Sequence, residues 1–211
     1  MIKIFKNNFW LILLIFISFI PLWDFFHAGI PQAHDIELHL ARTASFYASL
    51  REGILIPRWS GNLNWGYGTP ILMFVYPLPS YFSFLFLSLG FSLIDSVKIL
   101  MISSFIFSGV FMYLWIKQLW GEKAGFISGI LYLFAPYRFV DLYVRGALGE
   151  CVAFMFLPMI LYFMVKRKFL GISLSLAGLI LSHNMLSLIF LPVIFGYMGY
   201  IHLFITLCLA Q

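Results

Sequence analysis

The chain has 211 residues, of which 63% are hydrophobic, 20% aromatic and only 10% charged, with a formal net charge of +5. Soluble domains carry roughly a quarter charged residues, so this sequence has too little polar surface to face water and lipid must solvate most of it. The pattern reads as an integral membrane protein, an all-α polytopic bundle whose partner is the lipid bilayer. Its apolar runs are continuous, unlike the alternating segments of about 10 residues in a β-barrel. No basic tract points to nucleic acid. Cys151 and Cys208 both fall in apolar runs, so neither a disulfide framework nor a zinc ribbon is indicated.

The first span is expected from about Phe9 to Phe26, a retained signal anchor because no small-x-small cleavage site follows it. A polar, glycine- and proline-rich stretch runs from His27 to Pro70. The run Ile71 to Gly90 is interrupted by Pro77 and Pro79, each of which removes a helix donor, so it reads as re-entrant or interfacial. Further spans are expected at Val97–Ile116, Ala124–Tyr137, Val152–Val165, Phe169–Leu181 and Met185–Ala210, giving about six crossings. The run that closes the chain has no polar end, and the chain reads as a single transmembrane domain, the N-terminal part of a longer protein.

Lysine and arginine set the expected orientation. With residues 71–90 not crossing, Lys3 and Lys6, Lys117 and Lys123, and Lys166 to Lys168 all share the cytoplasmic side of the inner membrane. The outer face then receives a first loop, residues 27–96, a second loop, residues 138–150, and the turn Ser182–Asn184. Seven of the eight acids, Glu122 being the exception, and four of the five histidines fall on that face.

The stretch "AHDIELHLAR", Ala33 to Arg42, concentrates this charge. Asp35 to Arg51 fits a helix lying on the membrane surface, with Ile36, Leu40, Thr43, Tyr47 and Leu50 on a mostly apolar stripe and Asp35, His39 and Arg42 on a neighbouring face. Asp35 and Glu37 suit the first turn of that helix, and such a pair can also hold a divalent cation or take a proton from a hydroxyl. His34 and His39 are five apart, not the four of a zincin helix, which disfavours zinc. In "PRWSGNLNWGYGTP", Trp59, Trp65 and Tyr67 with nearby amides suit either a sugar or an interfacial aromatic belt, and Arg58 adds an anion contact. In "YRFVDLYVRGALGE", Arg145 beside a helix N-terminus suits a phosphate, a lipid headgroup or a pair with Glu150. His183 and Asn184 of "LSHN" either cap a turn or line a cavity.

The segments "HDIELHLARTASFYASLREGILIPRWSGNLNWGYG", "YVRGALGE" and "LSHN" together resemble the GT-C superfamily of membrane glycosyltransferases, most closely the bacterial membrane family labelled 6-pyruvoyl-tetrahydropterin synthase-related. The label misleads, since nothing in the composition supports that soluble zinc chemistry. The resemblance implies inverting transfer of a sugar from a polyprenyl-phosphate carrier to a glycan, lipid or protein acceptor on the outer face. It implies Asp35 as general base or metal-binding carboxylate, Glu37 as its neighbour, and Asp141 or, beside Arg145, Glu150 as the second-loop acid. A divalent ion such as Mg or Mn, held by Asp35 and Glu150, is the implied cofactor. His34, His39, Arg58, Trp65, Tyr67, Arg145 and His183 are the expected substrate contacts. A transporter or flippase is the alternative, disfavoured by nearly charge-free spans and no internal repeat. A non-catalytic scaffold is the other, and would show each acid paired locally.

Overall fold

A computed structural model describes the backbone of residues 2–209 and the side chains of residues 8–199, so Lys3, Lys6 and Cys208 lie outside the described side chains. The helices run α1 (Ile2–Ser18), α2 (Ile36–Arg51), α3 (Leu78–Ser88), α4 (Leu93–Trp120), α5 (Glu122–Leu133), α6 (Pro136–Phe139), α7 (Leu148–Val165), α8 (Phe169–Ser182) and α9 (Asn184–Leu209). A 3₁₀ turn, Ile20–Phe26, continues α1 after a 47° bend. A π-helical turn, Val140–Arg145, joins α6 to α7.

The 28-residue α4 is the central post. Ser92 caps it by accepting from the Asp95 N–H at 3.1 Å, and Gly121 at φ +85° ends it in a tight reversal into α5. The α4–α5 hairpin packs closely because a Cβ on Gly109 would meet Leu133 Cδ1 at 2.7 Å. Small residues of this kind let helix backbones approach where burial from water offers little drive. Val97, Met101 and Phe105 of α4 meet Leu148, Val152 and Ile160 of α7 in the core.

Contacts along the helices fix which ends coincide. Trp10 stacks on Phe126 with centroids 5.0 Å apart, and Leu14 abuts Gly129, so α1 and α5 run in the same direction. The start of α1 therefore lies at the same end as the α4–α5 turn (Lys117, Lys123) and the α7–α8 turn (Lys166–Lys168). The opposite end gathers His27, whose carbonyl accepts from Lys98 Nζ at 2.7 Å, the start of α2, the π-turn and His183. The segment from Tyr76 to Leu93 begins and finishes at that second end, since Tyr76 sits on Gly149 and Leu93 opens α4.

The bundle is all-α, and two of its described helices, α4 and α7, are long and apolar enough to cross a membrane, or three if the bent pair of α1 and its 3₁₀ turn is one span. This falls short of the expected six. The α5 helix has 12 residues and α8 has 14, about 18 and 21 Å at 1.5 Å per residue, against a hydrocarbon core of roughly 30 Å. The run ending at Tyr137 overstates α5 because Pro136 holds Ala135 extended (ψ 132°) and stops the helix at Leu133. The 11-residue α3 is shorter still, about 16 Å.

The α2 helix begins at Ile36, one residue after the expected start, and ends at Arg51 as expected. Its buried face differs from the expected stripe: Ile36, His39, Thr43 and Phe46 are enclosed, while Leu40, Tyr47 and Leu50 are half-buried. His39 thus sits on the packed face, because α2 lies against α3 and α4.

Candidate functional site

The first loop and the π-turn are stitched by their backbones. The His34 N–H donates to the Val144 carbonyl at 3.0 Å and the Asp35 N–H to the Arg145 carbonyl at 2.9 Å. Gly146, at φ +63°, permits this approach, since a Cβ there would fall 2.9 Å from Ala33 Cβ and 3.2 Å from Ile36 Cβ. The start of α2 is therefore fixed directly against the residues that lead into α7.

Around that seam lies a polar cluster. Arg145 Nη2 pairs with Glu150 Oε1 at 2.5 Å, and Arg145 Nη1 donates to Tyr137 Oη at 2.7 Å and reaches Asp141 Oδ1 at 3.3 Å. Tyr137 Oη donates in turn to Glu150 Oε2 at 2.7 Å, closing a ring of three groups. Glu150 is nearly enclosed (6% exposed) and Arg145 half-open (36%). Arg145 is held charged by these acids, well above the ordinary guanidinium value.

His183 approaches the same carboxylate, with Nε2 3.6 Å from Glu150 Oε1. Its Nδ1 accepts the Leu186 N–H at 3.2 Å and so caps α9. An accepting Nδ1 puts the neutral ring's proton on Nε2, facing Glu150. Burial holds His183 below its ordinary value against the pull of Glu150, which keeps that neutral form. Of the two readings of this histidine, the cap is the one its Nδ1 makes, and the same side chain also approaches Glu150. Tyr76 stacks over the ring at 5.0 Å, on a shelf that exists because residue 149 is glycine: a Cβ there would lie 2.1 Å from Tyr76 Cε2.

Deeper in, Asp141 is fully enclosed, and Arg138 is 2% exposed. The Arg138 guanidinium lies over Phe105, Tyr132 and Phe154 at 4.9, 5.6 and 4.8 Å and donates to Ser108 Oγ at 3.0 Å. Asp141 Oδ2 has no hydrogen-bond partner, and burial with Glu150 nearby pushes this carboxyl up to about 7.

The α2 helix divides this end of the bundle. Asp35, His39 and Arg42 recur at four and seven residues and share one face. Among the groups acting on His39 are Arg42, Asp35 and His183, and those acting on Tyr76 include Arg42, Glu150, Asp35 and Arg145, so this face looks onto the cluster. Glu37 and His34 turn the other way. They line a groove of about 730 Å³ with Gln32, Ile36, Tyr143 and Val144. Glu37 therefore does not partner Asp35 across one surface. Asp35 itself makes no capping hydrogen bond with its side chain, although it occupies the N-cap position.

Of the expected substrate contacts, His39, Arg145 and His183 gather at the cluster. Arg58, Trp65 (96% exposed) and Tyr67 (84%) lie on a separate loop. That loop is pinned by the Ser60–Thr69 bridge and by Ser60 Oγ donating to Ser45 Oγ at 2.6 Å. Ser45 is ten residues along α2 from Asp35, about 15 Å of helix rise. Trp59 and Asn62 of this loop, not Trp65, face a smaller cavity of about 360 Å³. Tyr137, Tyr76 and Arg138 were not anticipated, and only the helical register of Arg42 with Asp35 signalled its place. For a divalent ion, both Glu150 oxygens are committed, one to Arg145 and one to Tyr137. Among the described residues no three His, Cys, Asp or Glu side chains converge as a ligand set.

Fold and site together define an all-α membrane protein with a polar, partly enclosed cluster at one end of its bundle. The chain is 27% identical over 208 residues to a protein described as uncharacterized from Lactococcus lactis subsp. cremoris (strain MG1363), a match covering 92% of this chain. It spans about a third (34%) of that relative's length. No family model and no solved structure matches the chain.

Proposed function

We propose that this protein is a membrane glycosyltransferase of GT-C type, moving a sugar from a polyprenyl-phosphate carrier to an acceptor hydroxyl at the outer face of the cytoplasmic membrane. The observation that carries this reading is the backbone seam of Asp35 to Arg145, which sets an uncommitted first-loop carboxylate beside the cluster built on Arg145, Glu150 and His183. Asp35 takes the acceptor's proton as its oxygen attacks the sugar's anomeric carbon. The bond from that carbon to the phosphate oxygen breaks, and polyprenyl phosphate leaves with the electron pair. Glu150 is a positioning residue that orients Arg145, Tyr137 and His183. No step is routed through a metal ion, because the Glu150 oxygens are already held.

The two ends of the bundle support the proposed orientation. The start of α1 and both lysine-bearing turns share one end, which the excess of lysine and arginine assigns to the cytoplasm. Nucleotide sugars are confined there, so chemistry at the opposite end needs a lipid carrier. On this reading α5, which returns the chain from the α4–α5 turn to the outer end, and the apolar helices α8 and α9 complete the crossing set, and α3 is re-entrant. The Trp59–Asn62 cavity is available to a glycan acceptor.

The test is transfer by the purified protein reconstituted with a polyprenyl-phosphate sugar, read as labelled acceptor. Asp35→Asn should lower turnover by about 10²-fold or more, the scale of a lost general base. If the protein binds no polyprenyl-phosphate sugar and Asp35→Asn alters no cellular glycan, the reading is wrong.

A further inference from the structure

We propose that Arg42, flanked by His39 and Tyr76, forms the site that receives a phosphate ester, and that Arg145 does not. A cation that binds substrate phosphate must have charge and donors to spare. Arg145 has its charge already paired: Nη2 holds Glu150, and Nη1 holds Tyr137 and Asp141. These contacts take three of its five N–H donors, and the Glu150 carboxylate already balances its charge, so an incoming phosphate would compete with a bonded acid. Arg58 is exposed on the loop of residues 57–70, away from the seam.

Arg42 is in the opposite condition. It is half-buried, its Nε is enclosed with no acceptor, and none of the ion pairs among the described residues includes it. An enclosed guanidinium nitrogen without an acceptor is costly, and on an unpaired cation it suits an anion. His39, three residues back on the same helix, and the Tyr76 phenol both feel its charge. The facing acids do not neutralise it: Glu150 is committed to Arg145, and Asp35 stands seven residues up the same helix face, about 10 Å of rise. A base and a cation two helical turns apart on one face, with His39 between them, span about the length of a glycosyl phosphate. The anion site stands without the transfer reading. Only the identity of the molecule carrying the phosphate rests on it.

The test titrates the protein, in phosphatidylcholine nanodiscs, with a short-chain polyprenyl phosphate, with the matching uncharged polyprenol, and with inorganic phosphate. Wild type should prefer the phosphate lipid to the alcohol by at least about tenfold, as a charge-assisted contact implies. Arg42→Gln should abolish that preference, Arg42→Lys should keep part of it, and Arg58→Gln should keep all of it. Arg42→Lys retains the charge and decides the matter should Arg42→Gln not fold. If Arg42→Gln keeps the full preference, the site assignment is overturned while the carrier reading survives. If inorganic phosphate stabilises wild type but not Arg42→Gln, and the lipid phosphate binds no better than the alcohol, the anion site stands and the carrier reading falls. If no probe separates Arg42→Gln from wild type, the proposal is wrong.

Discussion

Replacing Gly149 by alanine tests the shelf on which Tyr76 rests. In an ordinary helix this change is stabilising by up to about 1 kcal/mol. Here the added Cβ would stand 2.1 Å from Tyr76 Cε2 and 2.3 Å from Cζ, where ordinary contact begins at 3.4 Å, so the ring must retreat by at least 1.3 Å. Pro77 follows directly and stiffens the backbone that would have to move. Overpacking of this kind costs about 1–3 kcal/mol, and the helix gain is small because Gly149 is the second residue of α7. The net expectation is a loss of about 1–2 kcal/mol, read as a thermal midpoint lower by roughly 2–8 °C in one fixed detergent. The same substitution in a Tyr76→Ala background should be neutral or stabilising, because nothing then occupies the shelf. A Gly149→Ala cost that is unchanged without the Tyr76 ring would refute the steric argument.

Asp141 and His39 should give stability opposite dependences on pH. The Asp141 carboxyl, raised from 3.8 to about 7, contributes stability that is full below about 4 and lost as pH rises through 7. His39, lowered from 6.5 to about 4 by burial and then by Arg42, contributes stability that is full above 6.5 and lost as pH falls through 4, and His183 adds to that slope in the same sense. Thermal midpoints from pH 4.5 to 7 should therefore rise more steeply with pH in Asp141→Asn and less steeply in His39→Gln than in wild type; parallel profiles would contradict both assignments. Tyr137→Phe removes a hydroxyl bonded to both Arg145 and Glu150 and should cost about 1 kcal/mol, since Arg145 is half-open to solvent and water replaces part of the loss. Trp65→Ala should leave the thermal midpoint within the equivalent of about 0.5 kcal/mol, because an almost wholly exposed ring packs against nothing.

What could be read in the sequence follows from which forces are local. Helical spacing located α2 to within a residue, because the apolar positions from Ile36 onward repeat every three or four residues. It also put Asp35, His39 and Arg42 on one face. The same spacing sets Glu37 on another face, two positions or about 200° from Asp35, which the grouping of the two acids by proximity in sequence overlooked. Hydropathy alone misjudged the spans in both directions. It ended α4 four residues early at Ile116, where amphipathic residues carry the helix on to Trp120, and it carried α5 past the Pro136 break. The pair of Arg145 with Glu150 was one of the readings the sequence offered, but the place of Tyr137 in the ring had no signal. Eight residues of regular helix would separate Tyr137 from Arg145 by about 12 Å of rise, whereas Val140–Arg145 winds as a π-turn and the two side chains meet.

The strongest structural argument for chemistry at this end is a local rule that Asp35 leaves unused. Aspartate at an N-cap ordinarily accepts a backbone N–H of the first turn, a contact worth about 1 kcal/mol. Asp35 occupies that position with φ −104° and ψ −2° and makes no such bond, so its carboxylate is not spent on the helix. Its backbone is meanwhile fixed from outside, by the bond from its N–H to the Arg145 carbonyl. The helix start is therefore positioned by a tertiary contact, and the carboxylate remains available. Departures of this kind from local consistency concentrate where a site has a use for the group. The neighbouring acid at the cluster, Glu150, shows the contrary pattern, with both oxygens engaged. Asp35→Asn should accordingly cost little stability while lowering the proposed transfer by about 10²-fold or more, and Glu150→Gln should cost stability first, by releasing Arg145 and Tyr137. If the two substitutions lower the thermal midpoint equally, Asp35 is a structural residue and the division between reacting and positioning carboxylates fails.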